Sequence, residues 1–161
     1  MVARNRRRNP RETRTPRAIY YGWKKDETDK LLDALRKRSS VGVPIVVEGR
    51  RDREALGRLG VTGKVFCLKA VGESRFHFLD RLDGFQDIIL LTDFDREGVE
   101  LRLWLYQQLT RRGIRADDLA WRRIKSLART EVRSVEELPR FVRSMEAKAR
   151  GERPEKLIRV P

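Results

Sequence analysis

The chain has 161 residues, enough for one folded domain with appendages rather than two full domains. Charged residues make up 39% of it, against roughly 25% in ordinary domains, and the excess is positive: 38 Lys and Arg against 24 Asp and Glu, a net charge of +14. That field favours polyanionic partners. No apolar run approaches the roughly 20 residues of a membrane span, the single Cys67 excludes an internal disulfide or a multi-cysteine zinc site, and the single His77 suits neither a His-dependent triad nor a two-His metal site.

Residues 1–18, MVARNRRRNPRETRTPRA, hold seven arginines and no aromatic residue. Charge repulsion together with Pro10 and Pro16 predicts a basic disordered arm, with Arg6, Arg7 and Arg8 among the residues that track phosphates. A merely solubilising tail is the plainer alternative. The segment lacks the apolar stretch of a secretory signal, so a reducing, cytoplasmic setting is expected. Residues 19–40 form a predicted N-terminal helical segment, with Leu31, Leu32 and Leu35 at helical spacing and Asp26 or Thr28 as its cap. Tyr20, Tyr21 and Trp23 beside it are either core and docking residues or stacking surfaces for bases.

Ile45, Val46 and Val47 form a β-branched run without alternation, which suits a strand buried on both faces. Glu48 and Gly49 close it. RRDREALGRLG reads as a short helix stopped by Gly60, KVFCLKA as a second strand, and SRFHFLDRL as a helix with Phe76, Leu79 and Leu82 on one side. DIILLTD is a third buried strand, and Leu101, Leu105 and Leu109 share one face of the helix that follows. Two further helices are expected, in ADDLAWRRIKSLAR and in VEELPRFVRSMEAKAR, the second interrupted near Pro139. Short apolar strands alternating with helices predict an α/β fold with a parallel sheet, whose ligands bind beyond the carboxyl ends of the strands.

Two of those strand ends are acidic. Asp93 and Asp95 sit at i and i+2 of an extended segment, where side chains point the same way and can converge on one hard cation. Mg²⁺ takes oxygen ligands, and one or two carboxylates plus substrate phosphates commonly hold it. Glu97 continues the alternation as an accessory ligand, and Gly98 allows close backbone approach where the next helix begins. A helix N-terminus merely decorated with acids is the alternative. Glu48 and Asp52 form the second cluster; their structural alternatives are pairing with Arg50 or Arg51, and the N-cap of the following helix.

The combination of apolar–Glu48–Gly49, an Asp three residues after the Gly, and apolar–Asp93–x–Asp95–x–Glu97–Gly98 resembles the Toprim domain. The resemblance covers about residues 43–130 and implies a Rossmann-like parallel sheet sandwiched by helices. It sets the Toprim domain at 41–131, with a C-terminal helix and tail at 132–161. It also implies that Glu48 is a general acid/base and that Asp93 and Asp95 hold Mg²⁺, with Mn²⁺ able to substitute. Phe94 departs from the family, where Pro is common, and is expected to affect only the turn. The small size is similar to stand-alone archaeal Toprim proteins and to the Toprim domain of the bacterial ribonuclease that matures 5S ribosomal RNA. The expected function is therefore Mg²⁺-dependent phosphodiester chemistry, as an endonuclease that processes RNA. Arg50, Arg51 and Arg96 would position phosphates, and Lys64 and Lys69 are further candidates. RNA is preferred over DNA as the partner. The alternative is a non-catalytic RNA- or DNA-binding module of a larger protein assembly.

Overall fold

The computed structural model describes residues 14–69 and 72–153. The expected arm contacts Arg6, Arg7 and Arg8 lie outside the described residues. Four strands, β1 (Ile45–Val47), β2 (Val65–Cys67), β3 (Asp87–Leu90) and β4 (Arg115–Asp117), form one parallel sheet in the order β2-β1-β3-β4. Six helices accompany them: α1 (Pro16–Ser40), α2 (Arg50–Arg58), α3 (Arg75–Asp80), α4 (Arg96–Arg111), α5 (Leu119–Ala128) and α6 (Leu138–Ala149). A 3-10 turn, Val135–Glu137, leads into α6.

Successive strand residues face opposite sides, which divides the core in two. Ile45, Val47, Ile89 and Leu91 join apolar residues of α1, α2, α5 and α6. Val46, Ile88 and Leu90 face the other way, onto Phe78, Leu79 and Leu82 and onto Leu101, Leu105 and Leu109 of α4. The predicted sandwich of helices around a parallel sheet is thus the observed fold. Among the described residues no helix is long and apolar enough to cross a membrane.

Several boundaries differ from expectation. Helix α1 starts at Pro16, well before Asp26 or Thr28, with Thr15 as its cap and the Thr15 hydroxyl accepting from Ala18 N–H at 3.2 Å. Proline at the first helical position needs no hydrogen bond there, so Pro16 opens the helix. Thr28 instead lies inside it, buried, with its hydroxyl donating to the Lys24 carbonyl. Phe76 is 66% exposed, while Phe78 takes the buried place beside Leu79. Pro139 sits in the first turn of α6 and marks its start, again as proline allows. Strand β4 was hidden in a segment read as helix: it has three residues, of which only Ala116 is buried, so it carries no apolar run.

Candidate functional site

Glu48 follows the last residue of β1, and Asp93 lies three residues past the end of β3. The two strands are neighbours in register, Ile45 opposite Ile89 and Val46 opposite Leu90. Pairing continues beyond the strands, with Leu91 N–H donating to the Val46 carbonyl at 2.9 Å. The acids are therefore brought together by the sheet itself, and Asp93 N–H donates to Glu48 Oε1 at 3.1 Å. Glu48 is only 5% exposed.

On the other side of β1 the ladder also runs on, with Lys69 N–H donating to the Glu48 carbonyl at 2.8 Å. This sets the Lys69 ammonium between two acids, 2.8 Å from Glu48 Oε2 and 2.8 Å from Glu97 Oε1. Its hydrogen bonds to Glu48 and Glu97 hold it protonated well above the ordinary lysine range. Glu97, expected to face a metal, is thus tied to Lys69.

Asp93 is half-buried, and its Oδ1 accepts from Val135 N–H at 2.9 Å. Burial pushes its pKa from 3.8 up to about 7; the Val135 hydrogen bond opposes this, and the charges of Asp52, Glu48 and Asp95 add to it. Asp95 is exposed and is the N-cap of α4, its Oδ1 accepting from Gly98 N–H at 2.7 Å. Asp52 sits in the first turn of α2 and its carboxylate accepts from Gly49 N–H at 2.9 Å, so Gly49, not Asp52, is the cap residue. Burial raises the Asp52 pKa as well. Arg50, Arg51 and Arg96 are all exposed, in the first turns of the helices that leave the two acidic strand ends. Lys64, by contrast, precedes β2 at the amino end of the sheet, away from the acids, and stands over the Phe85 ring.

Gly98 allows the close approach its position predicted: a Cβ there would lie 2.0 Å from the Asp93 carbonyl oxygen. The Thr92 hydroxyl clamps the same place by donating to the Gly98 carbonyl at 2.7 Å. Phe94 does more than shape the turn. Its N–H donates to the Arg133 carbonyl at 2.8 Å, a bond proline could not make, and its ring packs on Trp121. Trp121 in turn donates from Nε1 to the Thr92 carbonyl at 3.0 Å and the Asp93 carbonyl at 3.3 Å. The Arg102 guanidinium stacks over its indole at 4.2 Å. Neither Trp121 nor the Val135 N–H carries a local motif; both reach Asp93 only through the fold.

Among the described residues, no three acidic, histidine or cysteine side chains gather at one point fit for a metal ion. The donor chemistry still fits a hard divalent cation. The carboxylates supply oxygen only, and Asp52, Glu48 and Asp95 are close enough for their charges to act on Asp93. Mg²⁺ commonly needs only one or two carboxylates, with waters and substrate phosphates completing the shell. Asp93 and Asp95 match that smaller requirement.

The Toprim domain family model matches residues 43–124, which contain Glu48, Asp93, Asp95 and Glu97. A UPF0292 protein of Thermococcus sibiricus is 35% identical over 113 residues, covering 68% of this chain and 83% of the relative. A UPF0292 protein of Thermoplasma volcanium is 35% identical over 112 residues, covering 68% of this chain and 92% of the relative. Among solved structures, a putative protein from Aquifex aeolicus superposes with a TM-score of 0.59 at 26% identity, over 68% of this chain and 95% of that one.

Proposed function

The chain belongs to the Toprim domain family, and from that premise we propose that it performs divalent-metal-dependent phosphodiester chemistry on nucleic acid, as an endonuclease that processes RNA. The observation that carries the proposal is the junction of two adjacent strand ends, where Glu48 and Asp93 meet through the 3.1 Å hydrogen bond. Asp93 and Asp95 would hold Mg²⁺, or Mn²⁺ in its place. A cation bound there supplies Lewis acidity to the phosphate and stabilises its developing charge. Glu48 moves the proton, taking it from the attacking water or giving it to the leaving oxygen. Glu97 would be an accessory ligand once Lys69 turns toward the substrate. Arg50, Arg51 and Arg96 would hold phosphates beside the acids. The basic arm, with Arg6, Arg7 and Arg8, would add phosphate contacts.

A second reading is a nucleic-acid-binding module without turnover. It is favoured by one observation: both Glu48 oxygens are engaged, by Asp93 N–H and by Lys69.

The test is incubation of the protein with labelled structured RNA, single-stranded RNA and duplex DNA, with and without Mg²⁺ or Mn²⁺. Glu48→Gln and Asp93→Asn run alongside. The expected result is metal-dependent RNA cleavage, lost in both variants while binding persists. Binding without cleavage in the wild-type protein favours the module, and cleavage unchanged in the variants overturns the assignment of these residues.

A further inference from the structure

The opening turns of α1 present an aromatic surface that the catalytic site does not use. Tyr20 is 48% and Trp23 55% exposed, with Ile19 also exposed beside them. One turn apart, their rings stand with centroids 6.2 Å apart. They are held firmly: Tyr20 packs edge-on against Tyr21 at 5.2 Å, and the buried Lys24 ammonium lies 6.0 Å from the Tyr20 ring. Lys24 is itself pinned to Glu131 at 2.5 Å. Trp23 borders an open groove between α1 and the end of α6, where the cations Arg14, Lys25 and Arg150 outnumber the acids Asp26 and Glu146. Arg17 adds a further cation in the first turn, over the Tyr21 ring.

The position of this surface follows from the course of α1. Its C-terminal end lies by the amino ends of the strands, where Ser39 Oγ accepts from Gly63 N–H at 3.1 Å and the chain turns into β1. Its other end is joined through Lys24 to Glu131, in the loop that also bonds Phe94 and Asp93 through Arg133 and Val135. Tyr20 and Trp23 therefore stand toward the carboxyl end of the sheet, the end that carries the acidic cluster.

We propose that Tyr20 and Trp23 form a stacking platform for unpaired bases, with Arg14, Arg17 and Arg150 facing the flanking phosphates, so that the nucleic acid engaged here is single-stranded. The proposal rests on the reading of the chain as a nucleic-acid protein, and it names what that reading leaves open: which part of the substrate is unpaired. Every base offers a π-face, so such a platform tolerates sequence while demanding a free strand. The net charge of +14, with five arginines in residues 1–13 leading directly into this end of α1, matches a polyanion better than a second copy of an equally cationic chain.

The test is fluorescence anisotropy with a labelled single-stranded RNA and a blunt duplex of the same length, in the presence of a chelator, using the full chain. The variants are the Tyr20→Ala/Trp23→Ala double substitution and Trp23→Phe. Circular dichroism melts verify that each variant folds, and sedimentation reports its assembly state. The double variant should bind the single strand about tenfold more weakly, bind the duplex as before, and keep the same salt slope. Trp23→Phe, which retains a ring, should stay close to wild type. Equal loss for both nucleic acids, or no loss for the single strand, overturns the platform. So does a wild-type dimer that the double variant converts to a monomer, because the face then belongs to a second copy. The outcome is separable from the catalytic reading: a chain that never cleaves RNA can still show this single-strand loss, and a chain that cleaves with Glu48 can fail to show it.

Discussion

A methyl group at position 98 would sit 2.0 Å from the Asp93 carbonyl oxygen and 2.9 Å from its Cα. The obstacle is backbone, so no side chain can swing aside. Gly98→Ala should therefore cost about 3 kcal/mol, the upper end of overpacking effects, read as a lower urea midpoint with an unchanged slope. A variant as stable as wild type would show that the start of α4 slides freely. Asp93 itself predicts a pH dependence. Its pKa of about 7 in the folded chain exceeds the ordinary 3.8, so between those values the folded state holds a proton that the unfolded state has released. Stability of the metal-free protein should then fall as pH rises from about 4 to about 7, and level off above. Asp93→Asn should flatten that fall, and Mg²⁺ should raise stability most above pH 7. Thermal melts across this range check both statements; a Tm that climbs steadily with pH in the metal-free wild type contradicts them.

At the scale of elements, helix α5 is what holds the end of β3 in place. Its Trp121 indole N–H reaches the carbonyls of Thr92 and Asp93, and its ring packs with Phe94 and lies under the Arg102 guanidinium. Trp121→Phe keeps a ring for the stack but leaves those carbonyls without the donor. The expected loss is about 1–2 kcal/mol, together with weaker retention of a divalent cation at Asp93, measured by the Mg²⁺-dependent shift in Tm. An unchanged shift would mean that the turn holds its shape without the indole. The 3-10 turn acts in the same way from the other side, since Val135 N–H fixes Asp93 Oδ1. Both elements lie outside the acidic motifs, and both reach Asp93. The turn is thus pre-set by contacts to its backbone, with Asp93 the side chain most constrained and Asp95 the more exposed.

Over the whole molecule, charge decides how nucleic acid is met. The net charge of +14 is not spread evenly along the chain, because residues 1–13 alone carry five arginines and one glutamate. If each of the five neutralises a phosphate on a single strand, their removal should reduce the log–log salt slope of binding by about 3.5. Affinity for single-stranded RNA, titrated between 50 and 200 mM salt (roughly the range in which such slopes are read), supplies the check. An unchanged slope would identify the segment as a solubilising tail. The acidic cluster sits within this cationic molecule at the carboxyl end of the sheet, flanked by Arg50, Arg51, Arg96 and Lys69. That arrangement brings a polyanion near carboxylates that would otherwise repel it.

The sequence by itself determined the parallel α/β core, the three apolar strands and the acids at two of their ends. Those signals are local: a buried β-branched run, leucines at helical spacing, and carboxylates directly after a strand keep their meaning wherever the chain goes. It also indicated the close approach at Gly98, because a glycine opening a helix behind a strand has few other reasons to be there. Strand β4 was not legible, since Arg115–Asp117 has one buried residue and becomes a strand only by pairing with β3. Nor was the early start of α1, where two prolines in an arginine-rich stretch masked one that opens a helix. Only the tertiary structure decided the rest. Lys69 is 21 residues from Glu48 and 28 from Glu97, Val135 is 42 from Asp93, and Lys24 is 107 from Glu131. No window of sequence spans such pairs; they meet because sheet order and helix packing bring distant segments to one edge.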